Sequence, residues 1–277
     1  VSCPGIPDTA GCETTPFCGQ DAQYGWDTAH ASGERFASSI PIAEQPVVAD
    51  NVTALVWAGC DLGMWGPACA SGSALSATLE EGAQHCDDLD WGGQLDWRLA
   101  SAYELGSVFD YGRSNPALDL TAFVGSSSSL HVSASTYGGT WGTRCGRFDQ
   151  GVLENRERFW AVRVLCVRGG DFVAAGPRFA RLMPVGDEPI VTDAVTGLAW
   201  QGCVAGLHGA MCESGTHRAP TWQNALADCQ SLIWGGFDDW RLPNIKELTS
   251  IVDFRQGPAL DAIVFPNTPP RLLWSSS

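Results

Sequence analysis

Trp91-Gly92-Gly93-Gln94-Leu95-Asp96-Trp97-Arg98-Leu99 decides the fold, because the chain contains it twice. It returns as Trp234-Gly235-Gly236-Phe237-Asp238-Asp239-Trp240-Arg241-Leu242, an offset of 143 residues. The same offset aligns Val52-Thr53 with Val195-Thr196, Trp57 with Trp200, and Cys60, Cys69 and Cys86 with Cys203, Cys212 and Cys229. Further on the offset falls by one. Pro116-Ala117-Leu118-Asp119 then matches Pro258-Ala259-Leu260-Asp261, Phe123 matches Phe265, and Leu130 and Ser133 match Leu272 and Ser275. So long a match with one gap marks the duplication of a whole domain, since solenoid units run about 20–50 residues.

Upstream of the motif each copy opens with a run that alternates like a strand, Val52 to Trp57 and Val195 to Trp200, with Val, Leu and Trp on one side. A loop bounded by cysteines follows, Cys60 to Cys69 and Cys203 to Cys212. Its plain reading is a local disulfide, because no His/Cys set sits at zinc-ligand spacing. A helix comes next. Thr78 and Glu81 have capping-box spacing, and Leu79, Ala83, Cys86 and Leu89 recur at three- and four-residue steps. Thr221 caps the second copy, with Trp222, Leu226, Cys229 and Leu232 on its apolar face.

Downstream of the motif, Ser101 to Glu104 and Asn244 to Glu247 predict a second capped helix, with Pro243 placed where it interrupts no helical hydrogen bond. The first copy continues with a strand from Leu130 to Ser135 and a Gly-rich loop around Tyr137 to Gly142. It closes on a strand from Phe159 to Arg168. The second copy stops at Ser277, level with Ser135, with no counterpart of 136–168. A domain without that strand exposes a sheet edge, so the expectation is that a continuing chain or a neighbouring one supplies it. The organisation expected is an irregular Cys-rich leader over 1–46, a first module over 47–169, a linker over 170–188, and a second module over 189–277 lacking its last strands.

Composition narrows the function classes. The chain is long enough for two ordinary cores, and 44% hydrophobic content with 12 Trp excludes a disordered one. A net charge of −15 argues against nucleic acid, anionic membranes and sulfated polysaccharides as partners. Eleven cysteines without a CxxC point to disulfides and an oxidising compartment. No apolar run approaches the roughly 18 residues of a membrane span. With no secretory signal in view, the expected form is a secreted or surface protein whose signal peptide has been removed.

Asp193 to Gln201, then Asp239-Trp240-Arg241-Leu242-Pro243, Glu247-Leu248 and Trp274-Ser275-Ser276, resemble the Lcl C-terminal domain family, formerly DUF1566, of secreted bacterial proteins. The first copy is similar but has Leu99-Ala100 for Leu-Pro and Val132-Ser133-Ala134 for Trp-Ser-Ser, and its Val164 to Gly169 resembles the family's closing motif. The resemblance implies an α+β fold of tandem C-type-lectin-like modules. Each would pack two short helices on a small, mostly antiparallel sheet stapled by disulfides. It also implies surface adhesion, one member being a collagen-like adhesin that binds glycosaminoglycans. No Gly-X-Y tract occurs here, and the acidic balance disfavours that ligand. The family's long staple from first helix to last strand falls on Cys86 and Cys166. Cys3, Cys12, Cys18 and Cys145 then have three pairings open to them, and Cys229 is left without a partner in this chain.

For catalysis the sequence offers little. No HExxH, GxSxG or GxGxxG motif occurs. Glu104 and Glu247 are explained by their caps, and Arg98 and Arg241 by ion pairs or loop carbonyls. Trp57, Trp91 and Trp97 and their counterparts recur at core-like positions. Calcium has only Asp87-Asp88 and Asp238-Asp239 to recommend it, so no cofactor is expected. Trp65, Tyr137 and Trp141 are aromatic rings on loops and are the residues expected to meet a ligand, through sugar stacking or assembly contacts. The expectation is a non-enzymatic binding or adhesion protein with a glycan or cell-surface ligand. The alternative is a structural subunit of an extracellular fibre, its second module completed by a neighbouring chain.

Overall fold

The repeated Trp-Gly-Gly stretch folds as a two-residue hairpin turn. In this computed structural model, which describes residues 35–111, 113–126, 129–137, 141–170, 177–253 and 260–277, Trp91 and Gln94 exchange backbone hydrogen bonds of 3.1 Å each way. Both central residues take positive φ, 62° at Gly92 and 73° at Gly93, the geometry of a type I′ turn that side chains resist. A Cβ on Gly92 would also stand 2.8 Å from Val47 Cγ1. The turn fastens two tryptophans. The Trp91 indole donates to Pro46 O at 2.7 Å, and the Trp97 indole donates back to Trp91 O at 3.0 Å. Trp234 and Trp240 repeat both bonds, to Pro189 O at 2.7 Å and Trp234 O at 3.1 Å.

The described residues form two compact units, 35–170 and 177–277, each mixed α+β, mostly sheet with two short helices. The first unit runs β1 (Phe36–Ile42), β2 (Gln45–Asp50), β3 (Leu55–Ala58), β4 (Met64–Trp65), β5 (Ser71–Gly72), β6 (Ser76–Ala77), α1 (Leu79–Asp87), β7 (Arg98–Leu99) and α2 (Ala102–Ser107). It continues with β8 (Leu130–Tyr137), β9 (Gly142–Arg147), β10 (Val152–Glu157), β11 (Val162–Arg163) and β12 (Cys166–Arg168). One sheet has the order β1-β2-β3-β12-β7 and a second the order β10-β9-β8-β11-β6. The pairing is antiparallel except between β11 and β8. Trp57, Leu105, Phe109, Phe123 and Phe148 form one buried cluster, and Cys86, Trp97, Val132 and Val164 another.

The second unit runs β13 (Phe179–Val185), β14 (Glu188–Asp193), β15 (Ala199–Gln201), β16 (Leu207–His208), β17 (Ser214–Gly215), α3 (Trp222–Gln230) and α4 (Ile245–Ser250). Its main sheet has three strands, in the order β13-β14-β15.

The helices start where the sequence predicts. Capping boxes at Thr78/Glu81, Ser101/Glu104 and Asn244/Glu247 are all formed, and Thr221 caps α3 with its side chain alone. The Cys60–Cys69, Cys86–Cys166 and Cys203–Cys212 disulfides are all present. Cys145 is a buried free thiol and Cys229 a half-buried one. Cys3, Cys12 and Cys18 lie outside the described residues, as does most of the stretch read as a leader.

Three readings change. The run from Val52 to Trp57 is not one strand. Asp50 accepts Val52 N–H through Oδ1 and Ala54 N–H through its carbonyl, curling residues 51–54 into a turn before β3 begins. Asp193 does the same with Val195 and Gly197. An aspartate that bonds its own downstream backbone overrides the apparent alternation. The closing run from Phe159 to Arg168 divides between sheets, β11 beside β8 and β12 between β3 and β7, with Val164 between them giving its carbonyl to Leu62 N–H at 2.9 Å instead of to either sheet.

The repeat also begins earlier than the motifs showed. β1 and β13, in stretches read as leader and linker, pair alike with β2 and β14. At the 143-residue offset, Arg35 and Arg178 clamp Asp50 and Asp193 through paired hydrogen bonds of 2.6–3.1 Å. Phe36 meets Phe123 edge-on at 5.3 Å as Phe179 meets Phe265 at 6.1 Å.

Candidate functional site

Two surfaces stand out, one in each unit. At the end of the first unit where β8, β9 and β10 converge, Tyr137 and Glu157 both pair with Gly142, and Arg158 N–H reaches Trp141 O at 3.3 Å. Strand register therefore brings Tyr137, Trp141, Phe159 and Trp160 to one end of the sheet. Trp141 is 79% exposed and Trp160 53%, far more than a core aromatic keeps. Arginines accompany them. The Arg144 guanidinium lies 5.1 Å from the Tyr137 ring centre and that of Arg156 lies 5.7 Å from the Trp160 ring centre, within cation–π range. Arg156 and Arg158 are also ion-paired, to Glu154 and Glu80. The result is a local arginine-aromatic surface on an acidic chain.

Of the three residues predicted to meet a ligand, the structure brings two together. Trp65 lies elsewhere, on β4, within the Cys60–Cys69 loop. That loop adjoins the opposite end of β8, because Asp61 bonds His131 Nε2 at 3.0 Å while Tyr137 lies six residues further along the strand. Six strand residues span about 20 Å. Phe159 and Trp160 escape the sequence reading, which places them at the start of the closing strand.

The other polar groups have structural roles. Asp61 and His131 are both fully buried, with the imidazole stacked 4.0 Å above the Phe148 ring. At the repeat offsets they correspond to Val204 and Leu273, so the second copy carries apolar residues at both positions. Replacing both partners of a buried polar pair by well-packed apolar residues is often neutral. Arg98 binds Glu104 and Gly169 O rather than Asp96, and Asp96 instead takes Arg168 at 2.6 Å. Burial raises the Glu104 carboxyl, but the Arg98 bonds and the Ser101 N–H outweigh it and hold the group below the usual carboxylate range. Neither Asp87-Asp88 nor Asp238-Asp239 joins a metal-ligating set, and no group of three or more His, Cys, Asp or Glu is gathered among the described residues.

The second surface is a cleft of about 510 Å³ in the second unit. Trp200 and Gln201 of β15, Trp240, Arg241 and Leu242, and Cys229 of α3 are among its lining residues. In the first unit the corresponding residues, Trp57, Trp97, Leu99 and Cys86, are all buried, and β12 runs between β3 and β7. Among the described residues, no strand pairs with the free edge of β15. Burial and the neighbouring Asp228 push the Cys229 thiol up to about 11. It is therefore a protonated, weakly nucleophilic group at neutral pH.

The family model of the Lcl C-terminal domain matches residues 46–168 and again 189–277, and the chain belongs to that family. No curated protein and no solved structure matches it.

Proposed function

We propose that this member of the Lcl C-terminal domain family is an extracellular or cell-surface protein that binds rather than catalyses, built of two C-type-lectin-like modules. The aromatic end of the first module is its ligand surface. The exposure of Trp141 and Trp160 beside Tyr137, on the end of a disulfide-stapled sheet, carries the reading. Large rings held out of the core lose hydration readily and stack on the flat apolar faces of sugar rings, while nearby arginines bond hydroxyl or carboxylate groups. A glycan is the ligand that suits this surface. The Cys86–Cys166 staple from first helix to closing strand supports the lectin-like description. The three disulfides among the described residues support an oxidising compartment, and no helix of those residues is long and apolar enough to cross a membrane. Glu104 and Glu247 are tied into caps and arginine pairs, which supports a non-catalytic role.

A glycan array probed with the purified chain tests this. Binding to a restricted glycan set, lost in Trp141→Ala, is the expected outcome. No binding, or binding unchanged in both Trp141→Ala and Trp160→Ala, would overturn it.

Among the described residues β15 has a strand on one side only, which supports a second reading, a subunit of an extracellular assembly. An assembly subunit forms large species by itself, whereas a monovalent binding protein stays small until ligand is added.

A further inference from the structure

The aromatic end of the first unit has a width and an openness that narrow what it can hold. Tyr137 on β8 and Glu157 on β10 both pair with Gly142 of β9. Neighbouring strands lie about 4.8 Å apart, so two strand spacings separate these residues by roughly 10 Å. Trp160 N–H bonds the Glu157 carbonyl at 3.0 Å, which keeps Phe159 and Trp160 at that far edge. One hexose ring is narrower than this, so the aromatic side chains can meet successive units of one chain. Tyr137, the least exposed of the four, is still 43% open. A site for a small free ligand is concave and encloses most of its occupant, whereas this face is open.

Charge narrows it further. Arg156 is paired with Glu154 and Arg158 with Glu80. With Arg144 over the Tyr137 ring and Glu157 exposed on β10, three guanidiniums meet three carboxylates. Glu154 is held in place by Arg147 as well, through two bonds of 3.0 Å. A polyanion would have to displace these glutamates, and a net charge of −15 repels it at long range. A paired guanidinium still has N–H groups left over for neutral acceptors such as hydroxyls.

Taking the glycan-binding reading of this surface as given, we infer that its ligand is an internal stretch of an uncharged, linear polysaccharide whose rings carry their substituents equatorially. Such rings present C–H groups on both faces and lie flat on the positive-edge, negative-face geometry of an aromatic side chain. Several units lie across Tyr137, Trp141 and Trp160 at once, and each adds contact without a pocket for a chain end. The Glu154 carboxylate, by neutralising Arg156, sets the preference for uncharged sugars.

Calorimetric titration of the full chain tests this. The probes are β-1,4-linked oligomers of glucose and of N-acetylglucosamine, two and six units long, with hyaluronate as an equatorial but acidic polymer. In at least one series the hexamer should bind about tenfold or more tightly than the dimer. Hyaluronate should bind more weakly, and raising salt from about 0.05 to 0.5 M should change hexamer affinity less than twofold. Trp141→Ala and Trp160→Ala should each weaken the hexamer roughly two- to ten-fold. Glu154→Gln should raise hyaluronate binding at low salt. Equal affinity for dimer and hexamer, or hyaluronate bound more tightly than either hexamer, would overturn this inference and leave the glycan reading standing. Binding on the array confined to chain-terminal sugars would do the same. No response to any sugar, on the array or in titration, would overturn both.

Discussion

Cys86 and Cys229 occupy the same turn of the same helix in two copies of one domain, yet one is buried in a disulfide with Cys166 and the other is a free thiol lining a cleft. The difference predicts separable chemistry. Under native conditions an alkylating reagent labels Cys229, slowly because its thiol is held up at about 11, while Cys145, buried and pushed up to about 12, is labelled only after unfolding. Timed alkylation with mass mapping reads this directly. Equal labelling of the two would contradict the burial described.

The Arg35–Asp50 pair has side-chain exposures of only 9% and 0%, so removing one partner strands a buried charge. Arg35→Met should cost about 3–5 kcal/mol in urea unfolding. Arg178→Met should cost less, because Arg178 is 33% exposed and water already solvates that guanidinium.

Acid sensitivity follows from the same pairs. Burial raises Asp50 and Asp193, but their arginine and backbone hydrogen bonds prevail, so both carboxyls lie below the ordinary Asp value when folded. A depressed folded pKa contributes stability above the unfolded value near 3.8, and the contribution disappears as pH falls through the folded one. Melting temperature should therefore drop as pH falls below about 4, and Asp50→Asn should flatten that slope while lowering stability at pH 7.

Two tryptophan substitutions distinguish core from ligand surface. Trp97→Ala, at a buried position with a satisfied indole, should cost about 3–5 kcal/mol of stability. Trp141→Ala should leave stability within about 0.5 kcal/mol and act on binding alone. Chemical denaturation of both variants, beside the array, reads the contrast.

How far the sequence revealed this can be traced residue by residue. Repetition made the Trp-Gly-Gly turns, the helix caps and three disulfides legible, because each depends on local spacing. Arg35–Asp50 was not legible, since its partners lie 15 residues apart in stretches without conspicuous motifs. Trp160 was misread because it closes a turn after β10, its N–H on Glu157 O at 3.0 Å, and the strand itself begins only at Val162. The separation of Trp65 from Tyr137 is likewise a matter of which end of β8 each loop meets.

Central to the account is that the second unit repeats the first while, among the described residues, β15 has a strand on one side only. Hydrogen exchange on the native chain tests this most directly, because an amide bonded within a sheet exchanges only when the sheet opens. The account predicts slow exchange at Val56 to Ala58, flanked by β2 and β12, and markedly faster exchange at Ala199 to Gln201, bonded to β14 alone. Equal and slow exchange in both segments would mean that a strand already covers β15 and would contradict the account.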